Sequence, residues 1–194
     1  MKTKQLLEDL AHGNASAAFE AAKTLSNLPH LSAKQIIEVL DSATDVPNRE
    51  AVVYVLSWLR RKDNHDILQA LIKIASDPNE HPAVRGQAFE GLGIQRSTKR
   101  FKLWPDIERV ILDGLRDHVV EARFWACYAA GSLRMKSALP QLQELAANDS
   151  AMYPSWWRVS EEAVDAIEWI FGRSTEPRMR MNAQNARKSE VHAD

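Results

Sequence analysis

Apolar residues recur along this chain with a helical period. Between positions 65 and 77, Ile67, Leu68, Leu71, Ile72 and Ala75 stand at i, i+1, i+4, i+5 and i+8, one stripe of an α-helix, while Asp66, Gln69 and Lys73 fall on the opposite side. Segments 32–41, 106–117 and 138–149 show comparable stripes. Alternating β-branched runs are missing, and seven glycines and eight prolines are few for an all-β chain, so the pattern predicts an all-α fold.

Between these stripes lies a second kind of helix with a stricter rule. An arginine is followed by small or apolar residues three, six and seven positions on, and then by a very small one. Arg85, Ala88, Gly91, Leu92 and Gly93 obey it, and a shift of 38 carries them onto Arg123, Ala126, Ala129, Ala130 and Gly131. Arg49, Val52, Val55, Leu56 and Ser57 lie 36 residues before Arg85. A degenerate copy 31 further back comprises Ala18, Ala21, Thr24, Leu25 and Ser26, and one 37 beyond Arg123 comprises Ser160, Ala163, Ala166 and Ile167, with Glu168 in the last place. Irregular terminal copies are what a stacked array needs as caps. Each small-residue helix followed by a striped helix makes a unit of 31 to 38 residues. Asp77, Asp117 and Asp149 close three units and are expected to cap the next helix, with Pro82 in a first turn that tolerates it.

The motif "AVRGQAFEGLG" from Ala83 resembles the HEAT-like repeats, especially the short bacterial version called the phycobilisome-lyase type, over about residues 14 to 172. The resemblance implies a right-handed α-solenoid of about four to five helix pairs, occupying residues 1–172 with irregular caps at both ends. Residues 173–194, with five bases against three acids, are expected to form a flexible basic tail. Such arrays typically line their concave face with the second helices. That would present Lys34, Glu38, Asp41, Asp66, Gln69, Lys73, Glu108, Arg109, Asp113, Arg116, Gln141 and Glu144, a groove of six acids and four bases. Function is less constrained, because the family spans scaffolds, inhibitors, chromophore-attaching enzymes and DNA glycosylases.

Composition narrows these classes. Twenty-five basic against twenty-six acidic residues leave a net charge of -1, with no global attraction for nucleic acid or anionic membrane. Glu8 and Asp9 interrupt the apolar run near the start, so no secretory leader is expected, and no stretch reaches the length of a membrane span. The lone Cys127, in an alanine-rich stretch, is expected to be a buried thiol, and the expected location is cytoplasmic. The six histidines show no i, i+4 pair, so no metal site, catalytic constellation or cofactor is expected. A DNA-glycosylase-like reading would use Trp104 with Asp106 or Asp113, but the basic groove it requires is absent.

Two features depart from the repeat. Positions 96–104 carry Arg96, Lys99, Arg100 and Lys102 beside Phe101 and Trp104. Basic residues interleaved with aromatics suit either a phosphate backbone or an acidic protein partner, and they also suit a solvated loop whose aromatics tuck inward. The second feature is aromatic loading. Phe124 and Trp125 stand where earlier units have Glu50 and Ala51, or Gly86 and Gln87, with Tyr128, Tyr153, Trp156 and Trp157 close by. Exposed, they form a binding patch; buried, they close the end of the core. Pro154 stands six residues before Ser160, against three for Pro82 and Arg85, which predicts an added helical turn bearing Trp156 and Trp157. Trp169 is expected buried, and at least one of Trp156 and Trp157 partly exposed. The functional expectation is a non-catalytic binder of another protein, such as an inhibitor, adaptor or immunity-type partner. The alternative is a nucleic-acid-binding or glycosylase-like module acting through residues 96–104.

Overall fold

The computed structural model describes residues 2–59, 64–95, 104–154 and 156–173. Among the described residues there are ten α-helices and no strand: α1 Lys2–His12, α2 Ala15–Ser26, α3 Ala33–Ser42, α4 Val46–Trp58, α5 His65–Ser76, α6 Pro82–Ile94, α7 Trp104–Gly114, α8 Val120–Ser132, α9 Leu139–Asn148 and α10 Val159–Ile170. The helices stack as an all-α solenoid. α2, α4, α6, α8 and α10 are the small-residue helices, α3, α5, α7 and α9 the striped ones, and α1 covers the beginning of the array against α2, α3 and α4. Asn48 fastens that cap, its buried side-chain amide donating to the carbonyls of Leu10 at 3.1 Å and Gly13 at 3.0 Å. Of the tail expected at 173–194, residues 174–194 lie outside the described residues, and Arg173 pairs with Glu168 at 2.5 Å.

The two layers pack unequally. α4, α6, α8 and α10 lie against one another along their length, whereas α3, α5 and α7 meet far less. Small residues make this possible. A Cβ on Gly131 would stand 2.7 Å from the Ala166 Cα, and one on Gly93 would stand 3.1 Å from the Ala129 Cα, so backbone meets backbone at both seams. A row of close-packed helices backed by a row of diverging ones bends toward the close-packed side. The inner face is therefore lined by the arginine-bearing helices, which corrects the expectation that the second helices line it.

The repeated arginine latches successive units together. Arg49 donates from Nη1 to the carbonyls of Leu40 at 3.1 Å and Ala43 at 2.9 Å, at the end of α3, and from Nε to Glu80 at 3.2 Å, in the loop after α5. Arg85 joins the Ala75 carbonyl at 3.2 Å to the Asp117 carboxylate, and Arg123 joins the Asp117 carbonyl at 2.8 Å to the Asp149 carboxylate at 2.6 Å. In α10, where Ser160 replaces the arginine, the Ser160 backbone N–H donates to the Asp149 carbonyl at 3.0 Å. The aspartates do not cap helices as expected. Asp77, Asp117 and Asp149 each accept from the backbone N–H two residues on, at 2.9, 2.9 and 3.0 Å, forming short turns. The second carboxylate oxygens of Asp117 and Asp149 are left for the arginines.

Burial alone raises the Asp117 carboxyl, but the hydrogen bonds from Arg85 and the Val119 N–H, with the charges of Arg85 and His118, outweigh it and hold the group below its ordinary range. Glu80 behaves likewise: burial raises it, and bonding to Arg49 and the His81 N–H overrides that. Both carboxyls are depressed in the fold. Their stabilisation is therefore complete above the unfolded titration range and lost as pH falls through the folded values. Arg85→Ala, which strands Asp117 near the core, is expected to lower the unfolding free energy by about 3–5 kcal/mol in urea denaturation at neutral pH. The difference from the wild type should shrink in acid.

Candidate functional site

The repeat register places four positions of each inner helix toward the concave side, the first, second, fifth and ninth after the arginine. In α4 these are Glu50, Ala51, Tyr54 and Trp58; in α6 the first three are Gly86, Gln87 and Glu90; in α8 they are Phe124, Trp125 and Tyr128; and the ninth in α10 is Trp169. Aromatic rings connect along this face. Phe19 of α2 and Tyr54 have centroids 5.8 Å apart, and Tyr54 and Trp58 6.1 Å. Phe19 and Trp58 keep 46% and 38% of their surface in solvent.

A second aromatic group closes the seam between α8 and α10. The Phe124 ring lies 5.0 Å from Tyr153, 5.3 Å from Trp125, 5.7 Å from Trp157 and 5.8 Å from Trp156, and is 1% exposed. Trp125 is 9% exposed because its indole covers α6 at Gly86, where a Cβ would stand only 2.7 Å from its Cδ1. Of the two readings open for Phe124 and Trp125, burial at the end of the core holds, so these two candidate contact residues present no exposed patch. A missing side chain on one helix makes room for a large one on the next, and each ring pair adds about 0.5–1.5 kcal/mol beyond area burial. Tyr128, Trp104, Trp156 and Trp157 are half-buried against the core, and Trp169, expected buried, is half-buried beside Tyr128 at 5.7 Å. Arg96, Lys99, Arg100 and Lys102 lie outside the described residues.

The added helical turn is not formed. α10 begins at Val159, and the preceding segment folds back on itself: Tyr153 donates its N–H to the Trp157 carbonyl at 3.2 Å, Trp156 to Tyr153 at 3.0 Å, and Val159 to Ala151 at 3.0 Å. The Glu161 carboxylate accepts from the Arg158 N–H at 3.0 Å and marks the helix start. Trp157 is anchored through its indole N–H, which donates to the buried Glu162 at 2.8 Å. The loop seats both tryptophans over Phe124, so the seam is closed without an extra turn. Cys127 is fully buried, and burial, with the charges of Glu162 and Asp149, pushes its thiol well above the usual range, unlike an activated nucleophile.

Sequence reasoning missed Phe19, Tyr54, Trp58 and Glu90. The signal was present: Glu90 stands 36 residues after Tyr54 and Tyr128 another 38, so the three share one register position. Burial raises the Glu90 carboxyl, the Gln87 amide lowers it, and nearby Glu50 raises it again. Glu50 is open to solvent, yet neighbouring protein still holds its carboxyl above the ordinary range, with His81 opposing. Some of the second-helix charges pair on their own helices, Lys34 with Glu38 at 4.0 Å and Arg109 with Asp106 at 3.5 Å and Asp113 at 4.0 Å. The hollow of about 470 Å³ between α3 and α5 is lined by mixed charges, Asp41, Asp66 and Lys73 among them, and by the Arg49–Glu80 latch.

A family model described as HEAT repeats matches residues 68–155, from α5 to the loop before α10. No curated protein and no solved structure gives a significant match. A carboxyl raised by the fold destabilises it when ionised, and the effect is relieved as pH falls through the folded value. Glu90→Gln, facing Gln87 and Glu50, is therefore expected to raise the thermal midpoint at neutral pH, with the gain vanishing in acid.

Proposed function

Given that the chain is a HEAT-like repeat protein, we propose that it is a non-catalytic module that binds another protein on its inner face. HEAT repeats generally mediate protein–protein interaction. The observation that supports this face is two groups of exposed and half-buried aromatics at the repeat's concave positions, Phe19, Tyr54 and Trp58 on α2 and α4, and Tyr128 and Trp169 on α8 and α10, with Trp156 of the preceding loop beside the second. Tyrosine and tryptophan dominate binding hot spots because they bring large apolar area with a polar edge and few torsions to freeze. Phe124 and Trp125 act beneath this surface, holding the rings above them in place. An inhibitor, adaptor or immunity-type role suits such a module, which would act by covering its partner.

Among the described residues no helix is long and apolar enough to cross a membrane. None of the described residues forms a cluster of three or more His, Cys, Asp or Glu placed to hold a metal ion. The inner face does not suit nucleic acid, since it carries carboxylates where phosphates would have to lie; the nucleic-acid alternative acts through residues 96–104, of which only Trp104 is among the described residues. Affinity capture from the native cells is expected to retain a partner with the wild type and to lose it, by at least about tenfold in affinity, with Phe19→Ala/Trp58→Ala. Both side chains are substantially exposed, so the double variant should keep its thermal midpoint within a few degrees. Retention of the partner by the double variant would remove the inner face from consideration.

A further inference from the structure

Between α2 and α4 the inner face holds a hollow of about 220 Å³, walled by Phe19, Pro47, Tyr54 and Gln87 with Glu50 at its rim. That is smaller than the roughly 300–1,000 Å³ typical of small-molecule sites and suits one projecting side chain. Two aromatic rings beside a carboxylate make an environment for a cation, because the faces of the rings carry the negative end of their quadrupole. The Phe19 ring already attracts one, with the Lys23 ammonium 4.7 Å from its centroid. Lys23 is itself paired with Glu20 at 2.9 Å.

The surrounding charge has the same sign over a wider area. Burial raises the Tyr153 hydroxyl and its hydrogen bond with Trp125 lowers it, while the charges of Glu121 of α8, Glu50 of α4 and Glu90 of α6 raise it further, so three successive inner helices each contribute a carboxylate to the field on this face. Among the described residues none of the three has a lysine or arginine within 4.0 Å; the base acting on Glu50 is His81, and Glu90 is bonded to the neutral Gln87. On the outer helices, by contrast, Glu38, Asp106 and Asp113 each have a lysine or arginine within 4.0 Å. Negative charge left open beside aromatic faces complements a positively charged partner.

We propose that the inner face binds a basic polypeptide segment of a partner protein, with one arginine or lysine seated in the Phe19–Tyr54 hollow against Glu50 and further basic residues passing over Glu90 and Glu121. This rests on the inner face being the binding face. The probe is a fluorescein-labelled hexa-arginine peptide titrated with the full chain at low and high salt, with hexa-glutamate as its counterpart. Hexa-arginine is expected to bind and to weaken with salt, and hexa-glutamate not to bind. Glu50→Gln/Glu90→Gln should reduce affinity by about tenfold. Phe19→Leu, which keeps apolar bulk but removes the ring, should reduce it by about threefold, and the outer-layer pair Asp66→Asn/Asp113→Asn should leave it unchanged.

Equal binding by the wild type and Glu50→Gln/Glu90→Gln, equal loss in the outer-layer variant, or no binding at all overturns the proposal. So does binding that emerges only after residues 174–194 are removed, since the face then belongs to the chain's own tail. Capture of a partner that is lost with Phe19→Ala/Trp58→Ala but unaffected by Glu50→Gln/Glu90→Gln would refute the basic occupant while leaving the binding face intact.

Discussion

A guanidinium lodged among three segments of backbone has to satisfy its donors there, because an unpaired buried charge costs several kcal/mol. The arginines at the heads of α4, α6 and α8 do so in a repeated way, each joining the carbonyls that end the preceding outer helix to a carboxylate in the loop that ends its own unit. Asp117 serves two latches at once, its carboxylate for Arg85 and its carbonyl for Arg123. The junctions are thereby linked in series, and the angle between successive units is held by directed hydrogen bonds as well as by apolar contact.

With the junctions fixed at that edge, the small residues decide how the array bends. Glycine and alanine at the seams bring α6, α8 and α10 to backbone contact, while the outer helices spread. The arginine helices consequently line the inside of the curve. Positions that repeat after each arginine are stacked side by side, so residues far apart in sequence, such as Tyr54, Glu90 and Tyr128, occupy neighbouring places on one surface. A repeat keeps its fold by conserving seam positions within the unit, and it varies chemistry at the positions between them.

Much of this fold was legible because the seam positions obey a rule that needs only small volume and a helical period. The register of the units and the order of α2 through α10 follow from it. The inner face was not legible in the same way. Which layer is concave depends on the relative spacing of two helix rows, a three-dimensional quantity that periodicity does not encode. The burial of Phe124 and Trp125 depended on Gly86, 39 residues before Trp125, leaving room for an indole. The fold-back before α10 depended on backbone hydrogen bonds among residues 151–159, which the spacing of Pro154 from Ser160 does not specify. Tyr54 and Glu90 each looked ordinary within one helix, and acquire a role only when the stacking sets them beside Phe19 and Tyr153.

The central claim is that the inner, arginine-bearing layer is the working surface. Carboxyl footprinting tests it most directly: the chain is modified with carbodiimide and an amine, free and in complex with its captured partner, and each labelled site is quantified by mass spectrometry. Protection of Glu50, Glu90 and Glu121 on binding, with Asp66, Asp113 and Glu144 labelled equally in both states, is the predicted result. Protection of Asp66, Asp113 and Glu144, with the inner carboxylates unchanged, would contradict the account.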